Sequence, residues 1–396
     1  MLRRAFERTL SWLEGSRLRR LLIGALGVLA LLGLGAGVIT SAGLVSISAS
    51  SGHWPVTSWF LHYSMRRAVS TQAIGIETPD NLDDPSLILK GAGHYETGCL
   101  ACHGAPGREQ SLIVRQMTPE PPFLPPRIGH WNDRELFWIV RHGIKFTAMP
   151  AWPALNRDDE VWAMVAFLRQ LPTMSPERYR ELALGEASAP ESTGLLRSGA
   201  DPIAAVLSNC TRCHGADGGG RGSGAFPMLA GQNQAYLVAS LQAYANGNRA
   251  SGVMQPIAAS LDDKQKEQLA AHYASMPKAS TNRSAEADLQ AVARGGELAS
   301  RGARAGKVPP CIHCHGPSDT TRNPLYPDLA GQYPAYLALQ LELFAKGERG
   351  GTEYADIMHR AANRLTPQQI HDLAQFYASL KPSGDSGASN VNSEEP

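Results

Sequence analysis

Cys99-Leu100-Ala101-Cys102-His103 is a pattern that recurs twice further along this chain of 396 residues, as Cys210-Thr211-Arg212-Cys213-His214 and as Cys311-Ile312-His313-Cys314-His315. The three copies contain all six cysteines of the sequence. Two thiols three positions apart lie on one turn of a helix and can reach the two vinyl groups of one haem, while the adjacent histidine faces the iron. The sequence therefore predicts three covalently bound haem c groups.

Three other uses of paired cysteines compete with haem attachment. An exported chain could form disulfides, a Cys-x-x-Cys pair could be a thioredoxin-like redox centre, and cysteine with histidine could bind zinc. A zinc site does not require a histidine directly after each pair, and no cysteine remains for another role. Haem attachment is the interpretation that accounts for every cysteine and for the histidines.

Each iron needs two axial ligands, and the sequence offers a histidine and a methionine for each haem. A methionine ligand raises the reduction potential relative to nitrogen or thiolate ligands. One methionine follows the first cysteine of each motif at a similar distance: Met149 after 50 residues, Met254 after 44 and Met358 after 47. His142 competes with the first of them, and His359 with the third. The predicted iron ligands are His103, Met149, His214, Met254, His315 and Met358.

Each candidate methionine is expected to lie in a loop that precedes a capped amphipathic helix. After the third methionine, apolar residues follow the spacing i, i+3, i+4, i+7 that is typical of one helix face, at Ile370, Leu373, Ala374 and Tyr377. The other methionines are interpreted as core residues. The predicted caps are Asn156 with Asp159, Ser260 with Asp263, and Thr366 with Gln369.

The second and third motifs lie in two copies of a longer repeat. Phe226-Pro227-Met228-Leu229-Ala230-Gly231-Gln232 recurs as Tyr326-Pro327-Asp328-Leu329-Ala330-Gly331-Gln332, and Ala-Tyr-Leu follows each copy. Such self-similarity indicates duplication. Over about residues 200 to 381 the chain resembles the dihaem cytochrome c4 family and its single-haem c553 relatives. The resemblance implies two class I cytochrome c folds packed as a pair, in which the carbonyls of Pro227 and Pro327 accept hydrogen bonds from the motif histidines.

The first motif lies in a different kind of unit. About residues 80 to 173 resemble the broader class I cytochrome c group found in subunits of membrane oxidoreductases, and the likeness is carried by Gly143-Ile144-Lys145-Phe146-Thr147-Ala148-Met149-Pro150-Ala151-Trp152. This unit lacks the Pro-x-Leu-Ala-Gly sequence of the other two. Either Pro125 or Pro126 is expected to supply the carbonyl for its histidine instead.

These patterns predict an all-α fold with three tandem class I cytochrome c domains after one N-terminal transmembrane helix. A chain of this length has room for several domains of ordinary size. The predicted segments are a basic head and anchor at 1–45, a connecting segment at 46–79, domain 1 at 80–173, a linker at 174–200, domain 2 at 201–276, a linker at 277–288, domain 3 at 289–381 and a disordered tail at 382–396.

The N-terminal segment has the composition of a membrane anchor. Residues 21–45 contain no charged side chain and follow an arginine-rich head. About 20 apolar residues suffice to cross the hydrocarbon core, and the basic head predicts a cytoplasmic N-terminus. The haem domains would then lie in the periplasm, on a single-pass protein of a bacterial inner membrane. The alternative is a signal peptide cleaved near Ser48 or Ala49, although the apolar run exceeds the roughly 7 to 15 residues of a signal core.

The predicted function is one-electron transfer in a respiratory chain rather than catalysis. A haem with both axial positions filled by protein leaves no open site for a small-molecule substrate. The expected partners are the membrane and redox proteins such as an oxidase, a quinol-oxidising complex or a membrane dehydrogenase. A net charge of +1 argues against nucleic-acid binding. Two alternatives are a haem peroxidase or reductase with one open iron site, and a membrane-tethered redox or gas sensor.

Overall fold

A computed structural model of the chain describes residues 17–185, 202–278, 288–303, 307–317 and 321–381. These residues form α-helices joined by loops and short 3-10 turns; among them there is no β-strand, only isolated bridges. The all-α prediction is therefore confirmed. Parts of the predicted basic head and of both predicted linkers lie outside the described residues, as does the predicted tail after Lys381.

The helices of the described residues are numbered in chain order. They are α1 Arg17–Ser41, α2 Pro55–Gln72, α3 Pro85–Gly98, α4 Leu100–His103, α5 Asp133–His142, α6 Asp158–Gln170, α7 Pro176–Leu184, α8 Pro202–His214, α9 Gln234–Ala245, α10 Met254–Ala259, α11 Asp263–Ser275, α12 Leu289–Arg301, α13 Ile312–His315, α14 Pro334–Ala345, α15 Ala355–Ala362 and α16 Pro367–Ser379. The three motifs thus lie at α4, at the end of α8 and at α13.

The chain divides into two compact units, and the first contains the apolar N-terminal helix. It comprises the chain up to Trp59 together with residues 116–119. Within it, the Thr118 hydroxyl donates a hydrogen bond of 2.7 Å to the Ala49 carbonyl. In the described part of the chain, α1 is the one helix that is long and apolar enough over Arg19–Ser41 to cross a membrane. By length and composition it is a candidate for an anchor or a signal segment.

The second unit contains all three motifs, and its first core lies where α3 crosses α6. Tyr95, Val161 and Phe167 are fully buried in this core. A Cβ atom at Gly91 would lie only 2.2 Å from the carbonyl oxygen of Ala163. Glycine is therefore required by the close approach of the two helices. The crossing fixes the end of α3, where the first motif begins.

The third predicted domain has a similar crossing between α12 and α16. A Cβ atom at Gly295 would lie 2.1 Å from the carbonyl oxygen of Asp372. One residue earlier, Arg294 donates two hydrogen bonds of 2.8 Å to the Asp372 carboxylate. Leu337, Leu373 and neighbouring apolar residues form the core beside this crossing. The second domain has a smaller core between α9 and α11.

The segment predicted as the linker 174–200 begins with a helix instead. Ser175 caps α7 by accepting a hydrogen bond from the backbone of its third residue, and proline occupies the first helical position. Tyr179 of this helix is buried, and its hydroxyl donates a 2.6 Å hydrogen bond to Glu96. Residues up to Leu184 therefore belong to the packing of the first domain, which corrects the sequence-based interpretation.

The capping predictions have different outcomes. The capping box that begins at Thr366 is confirmed. The box predicted at Ser260 is wrong, because α11 is capped by Asp262 with Gln265, whose longer side chain reaches back to the N-cap backbone. The helix that Asn156 was expected to cap is α6, and α6 begins without a side-chain cap.

Candidate haem centres

Each motif histidine ends a helix and places one ring nitrogen beside a proline carbonyl. Nδ1 of His214 lies 3.0 Å from the carbonyl oxygen of Pro227, and Nδ1 of His315 lies 3.0 Å from that of Pro327. A carbonyl oxygen can only accept, so Nδ1 carries the proton and Nε2 keeps its lone pair for a metal. Both hydrogen bonds implied by the resemblance to cytochrome c4 are present.

The first centre uses a different proline from the two that were expected. Nδ1 of His103 lies 2.9 Å from the carbonyl oxygen of Pro122, so the prediction of Pro125 or Pro126 is wrong. The Gln110 amide contributes to this arrangement. It donates hydrogen bonds of 2.7 Å to the carbonyl of the second motif cysteine and to the carbonyl of the residue before Pro122. These bonds bring the Pro122 segment under the histidine.

The three candidate methionines are half-buried and lie in different local structures. Met149 is in a loop, where its N–H donates to the Thr147 hydroxyl at 3.1 Å. Met254 is the first residue of α10, and Met358 lies inside α15. The expectation that all three lie in loops is therefore wrong for two of them. No glycine or proline interrupts α15, so a helix can form around Met358. Their role as iron ligands stays a prediction.

The two histidines that competed with the methionines make other contacts. Nε2 of His359 forms a short hydrogen bond with the carbonyl oxygen of Arg349, and its ring centroid lies 5.7 Å from that of Phe344. His142 is exposed, with its ring centroid 5.1 Å from the ring of Trp138. These contacts favour the methionines as the ligands.

One cavity of about 840 Å³ connects the second and third motifs. The predicted attachment and ligand residues that line it are Cys210, Cys213, His214, Met254, Cys311, Cys314, His315 and Met358. The hydroxyls of Tyr273 and Tyr377 also belong to residues of its wall, and they are buried without a hydrogen-bond partner among the described residues. Buried polar atoms normally have partners. These features fit a bound ligand at the second motif and another at the third.

Two buried arginines give the same cavity a positive charge. Arg249 donates to the Tyr336 hydroxyl at 3.2 Å, and Arg349 donates to the Tyr236 hydroxyl at 2.8 Å. Burial would raise the pKa of Tyr236, but the charges of Arg349 and Arg249 lower it to about 7. In the part of the chain that the structure describes, neither guanidinium pairs with a carboxylate. Because an uncompensated buried cation is costly, the cavity fits haem, which carries two propionate groups.

The environment of the cysteines disfavours a thiol redox centre. Burial raises the pKa of Cys99 to about 12 and that of Cys210, Cys213 and Cys311 to about 11. A reactive thiol pair requires a lowered pKa. All six cysteines lie in described ranges, and none forms a disulfide. Among the described residues, no group of three or more His, Cys, Asp or Glu side chains is arranged to hold a metal ion.

Two glutamines join the second and third domains in matching ways. Gln332 accepts a hydrogen bond from the Met228 N–H at 3.1 Å and donates to its carbonyl at 3.0 Å. Gln232 makes the same pair of bonds with Asp328, each of 2.9 Å. Sequence reasoning missed the role of these glutamines and of the two buried arginines. The sequence does contain a signal for them, because this glutamine and this arginine of the second domain each recur 100 positions later in the third.

Comparison with known proteins gives matches over most of the motif-bearing part of the chain. Residues 86–168 match a family model described as cytochrome c oxidase, cbb3-type, subunit III, and residues 201–294 and 299–381 match the cytochrome c model. A protein of Stutzerimonas stutzeri described as a thiosulfate dehydrogenase electron acceptor is 34% identical over 187 residues, which is 46% of this chain and 83% of that protein.

Further relatives carry the cytochrome c4 description. Cytochrome c4 of Pseudomonas aeruginosa is 33% identical over 191 residues, covering 48% of this chain and 92% of that protein. A solved structure of Acidithiobacillus ferrooxidans cytochrome c4 is 31% identical, covers 43% of this chain and 98% of its own, and has a TM-score of 0.38. The sequence similarity to the Pseudomonas aeruginosa protein therefore extends over nearly the full length of that relative.

Proposed function

This chain belongs to the class I c-type cytochromes, and on that ground we propose that it carries three covalently attached haems and passes single electrons between redox proteins. One observation carries the proposal. Each of the three Cys-x-x-Cys-His motifs ends on a histidine whose Nδ1 meets a proline carbonyl, so each Nε2 is available to an iron.

The residues of each centre have separate tasks. The two cysteines would hold the haem through thioether bonds, and the histidine–proline hydrogen bond fixes the orientation of the imidazole. Met149, Met254 and Met358 would each supply a further ligand to an iron and so leave no position for a substrate. When bound, haem c supplies reversible exchange of one electron between its ferric and ferrous states. An electron carrier needs this chemistry and no acid, base or nucleophile from the protein.

The number of attached haems can be measured directly by intact mass spectrometry of the purified chain. We expect a mass increase of three haems for the natural sequence. Cys213→Ser should leave the second haem attached through one thioether bond or lose it, while the other two remain. Ser208→Ala on the same helix is the matched control and should keep all three. An increase of fewer than three haems in the natural chain would contradict the proposal.

The partner is proposed to be a redox enzyme that delivers electrons to this chain. Support comes from the relative whose description names it as the electron acceptor of thiosulfate dehydrogenase. A tagged chain, isolated in mild detergent from its native membranes, should bring a dehydrogenase subunit in stoichiometric amount. Recovery of an oxidase subunit instead would contradict the proposed direction of electron flow, and a trihaem chain recovered alone would argue for a carrier that meets its partners only transiently.

The N-terminal helix is proposed to hold the protein in the bacterial inner membrane with the haem domains in the periplasm. The arginines before α1 and its apolar length support this orientation. The chain should remain with the membrane after alkaline carbonate washing, and its measured mass should include residues 1–45. Recovery of a soluble chain that starts near Ser48 would instead identify the segment as a cleaved signal.

A further inference from the structure

The first and second predicted domains share a buried contact. A Cβ atom at Gly93 on α3 would lie 2.9 Å from the Phe226 ring and 3.1 Å from Sγ of Cys213. Phe226 itself is part of the first core. Arg221 of the second domain donates hydrogen bonds of 2.6 and 2.7 Å to the carbonyls of Leu182 and Glu181 on α7. The second haem motif is therefore packed directly against the first domain.

At this contact, the first turn of α6 is bonded to the loop that leads into Met254. Glu160 is 3% exposed, and its carboxylate accepts hydrogen bonds of 2.6 Å from the Ser251 hydroxyl and 2.6 Å from the Gly252 N–H. Arg157 adds a third bond, of 2.6 Å, to the Ala250 carbonyl. Three consecutive residues of the loop are thus held by one helical turn of the neighbouring domain.

The Ser251 hydroxyl connects Glu160 to the predicted ligand Met254. The Ser251 hydroxyl, which donates to Glu160, also accepts the N–H of Met254 at 3.1 Å and that of Val253 at 3.3 Å. A hydroxyl that donates to a carboxylate is polarised, which strengthens the bonds that it accepts. The orientation of the Met254 backbone therefore depends on Glu160 through a single intermediate side chain.

Glu160 also reaches the methionine loop of the first centre. Its carboxylate accepts a 3.1 Å hydrogen bond from Nε1 of Trp152, three residues after Met149. The indole lies so close to Gly252 that a Cβ atom there would be 2.1 Å from Nε1. The carboxylate is therefore the common acceptor for groups from both methionine loops.

Neighbouring charges hold Glu160 in this position. Arg157 forms an ion pair with Glu160 at 3.1 Å and with Asp159 at 2.7 Å, and Lys90 lies 3.1 Å from Asp159. Burial would raise the pKa of Asp159, but the hydrogen bonds and charges of Arg157 and Lys90 keep it well below its usual value. The carboxylates also lie at the N-terminal end of α6, where the helix dipole favours negative charge.

We propose that Glu160, which belongs to the first domain, is a positioning residue that holds the Met254 loop of the second centre. The same carboxylate links this loop to the Met149 loop. The proposal rests on the function proposed above, because it assumes that Met254 binds iron. The consequence is that the ligand geometry of the second centre depends on a side chain of another haem domain. A separate second domain would then lack part of its own ligand support.

The first test measures hydrogen exchange in the Met254 loop and does not depend on the iron ligand. Glu160→Gln keeps the size of the side chain but turns an amide NH₂ toward donors that need an acceptor. In the full-length protein, hydrogen exchange at the Gly252 amide should become roughly tenfold faster or more, the size expected for losing a hydrogen bond to a charged group. Exchange at the Met254 amide, which bonds to the Ser251 hydroxyl, should become faster by a smaller factor. Glu177→Gln, whose side chain is 73% exposed, is the matched control and should leave exchange unchanged.

The second test follows the iron ligand in the same proteins. Near-infrared magnetic circular dichroism distinguishes methionine from other axial ligands, and binding of added imidazole to the ferric protein reports a weakened methionine. We expect Glu160→Gln to bind imidazole at one centre roughly tenfold more tightly than the natural chain. In a Met254→Ala background the same substitution should have no further effect, since the ligand through which Glu160 acts is gone.

Ser251→Ala is the second variant, in case the buried Glu160→Gln substitution prevents folding. It removes only the hydroxyl between Glu160 and Met254 and should shift imidazole binding in the same direction. Unchanged exchange in both variants would overturn the proposed contact. Faster exchange with unchanged methionine ligation would overturn the positioning role. If the natural chain has no methionine at its second iron, the ligand assignment fails, while the exchange experiment still tests the contact itself.

Discussion

Met254 is the residue at which the ligand assignment can be tested most cleanly. With Met254→Ala, haem should remain attached through Cys210, Cys213 and His214, but the thioether ligand that favours the ferrous state is lost. We expect the reduction potential of one centre to fall while the other two stay unchanged, measured by spectroelectrochemical titration. Met276→Leu, at a methionine interpreted as a core residue of the same domain, is the control. Unchanged potentials at all three centres would show that Met254 is not a ligand.

The three histidine–proline hydrogen bonds show which site residues can be read from the sequence. Pro227 and Pro327 stand in a repeated motif, and the resemblance to cytochrome c4 identified both. Pro122 was not identified, because the loop after the first motif contains several prolines. The Pro122 segment is held by the hydrogen bonds of Gln110 and by a bond from the Leu124 N–H to the His103 carbonyl. Because Gln110 lies 12 residues before Pro122, no local sequence pattern indicates which proline bonds to the histidine.

At the scale of elements, the crossing of α12 and α16 makes a prediction about the third domain. Gly295→Ala would place a Cβ atom 2.1 Å from the Asp372 carbonyl oxygen, so the helices must separate. We expect a loss of about 1–3 kcal/mol in the free energy of unfolding, as for other overpacked contacts. Urea unfolding followed by circular dichroism measures it.

Gly296→Ala is the matched control for that experiment. A Cβ atom at Gly296 would meet only the Phe376 ring, at 3.2 Å, and alanine also favours the helix. Its unfolding midpoint should therefore stay close to that of the natural chain. Equal midpoints for the two variants would contradict the account of the crossing.

The same pair of helices predicts a dependence on pH. The hydrogen bonds from Arg294 lower the pKa of Asp372 in the folded chain, against the opposing effect of burial. The ion pair therefore adds stability above the unfolded pKa, about 4, and this contribution is lost as pH falls through the lower folded value. Asp372→Asn should cost about 1 kcal/mol at pH 7, since Arg294 is half-exposed.

The test of this pH dependence is urea unfolding at several pH values. The stability difference between the natural chain and Asp372→Asn should shrink as pH falls below about 4. The exposed Asp263→Asn, which also removes an ion pair, should show little effect at any pH. A difference that is constant with pH would mean that Asp372 acts through packing rather than through its charge.

Sequence patterns predicted the existence of helices better than their ends. Thr366 was identified as a cap because proline and glutamine follow it in the favoured positions. The cap of α11 was misplaced by two residues, since Ser260 and Asp262 are both suitable caps and only the reach of Gln265 decides between them. The helix around Met358 was not predicted, because a loop was expected around the candidate ligand. The eight residues of this segment nevertheless form a helix.

At the scale of the whole molecule, the sequence predicted the order of three motif-bearing domains, and the family matches at 86–168, 201–294 and 299–381 follow that order. It did not predict how the domains contact one another. The bonds from Glu160 to Ser251, and from Gln232 to Asp328, join residues more than 90 positions apart. Such pairs cannot be predicted from the sequence alone, because neither partner lies in a distinctive local pattern.

Three haems, each bound by a histidine and a methionine, would make this chain a carrier of single electrons. Exposure of the reduced, full-length protein to carbon monoxide at neutral pH tests whether any iron lacks its second protein ligand. We predict that the absorption spectrum of the ferrous protein does not change, since every iron has both axial positions filled. A carbon monoxide complex at any centre would reveal an open iron and would contradict the account.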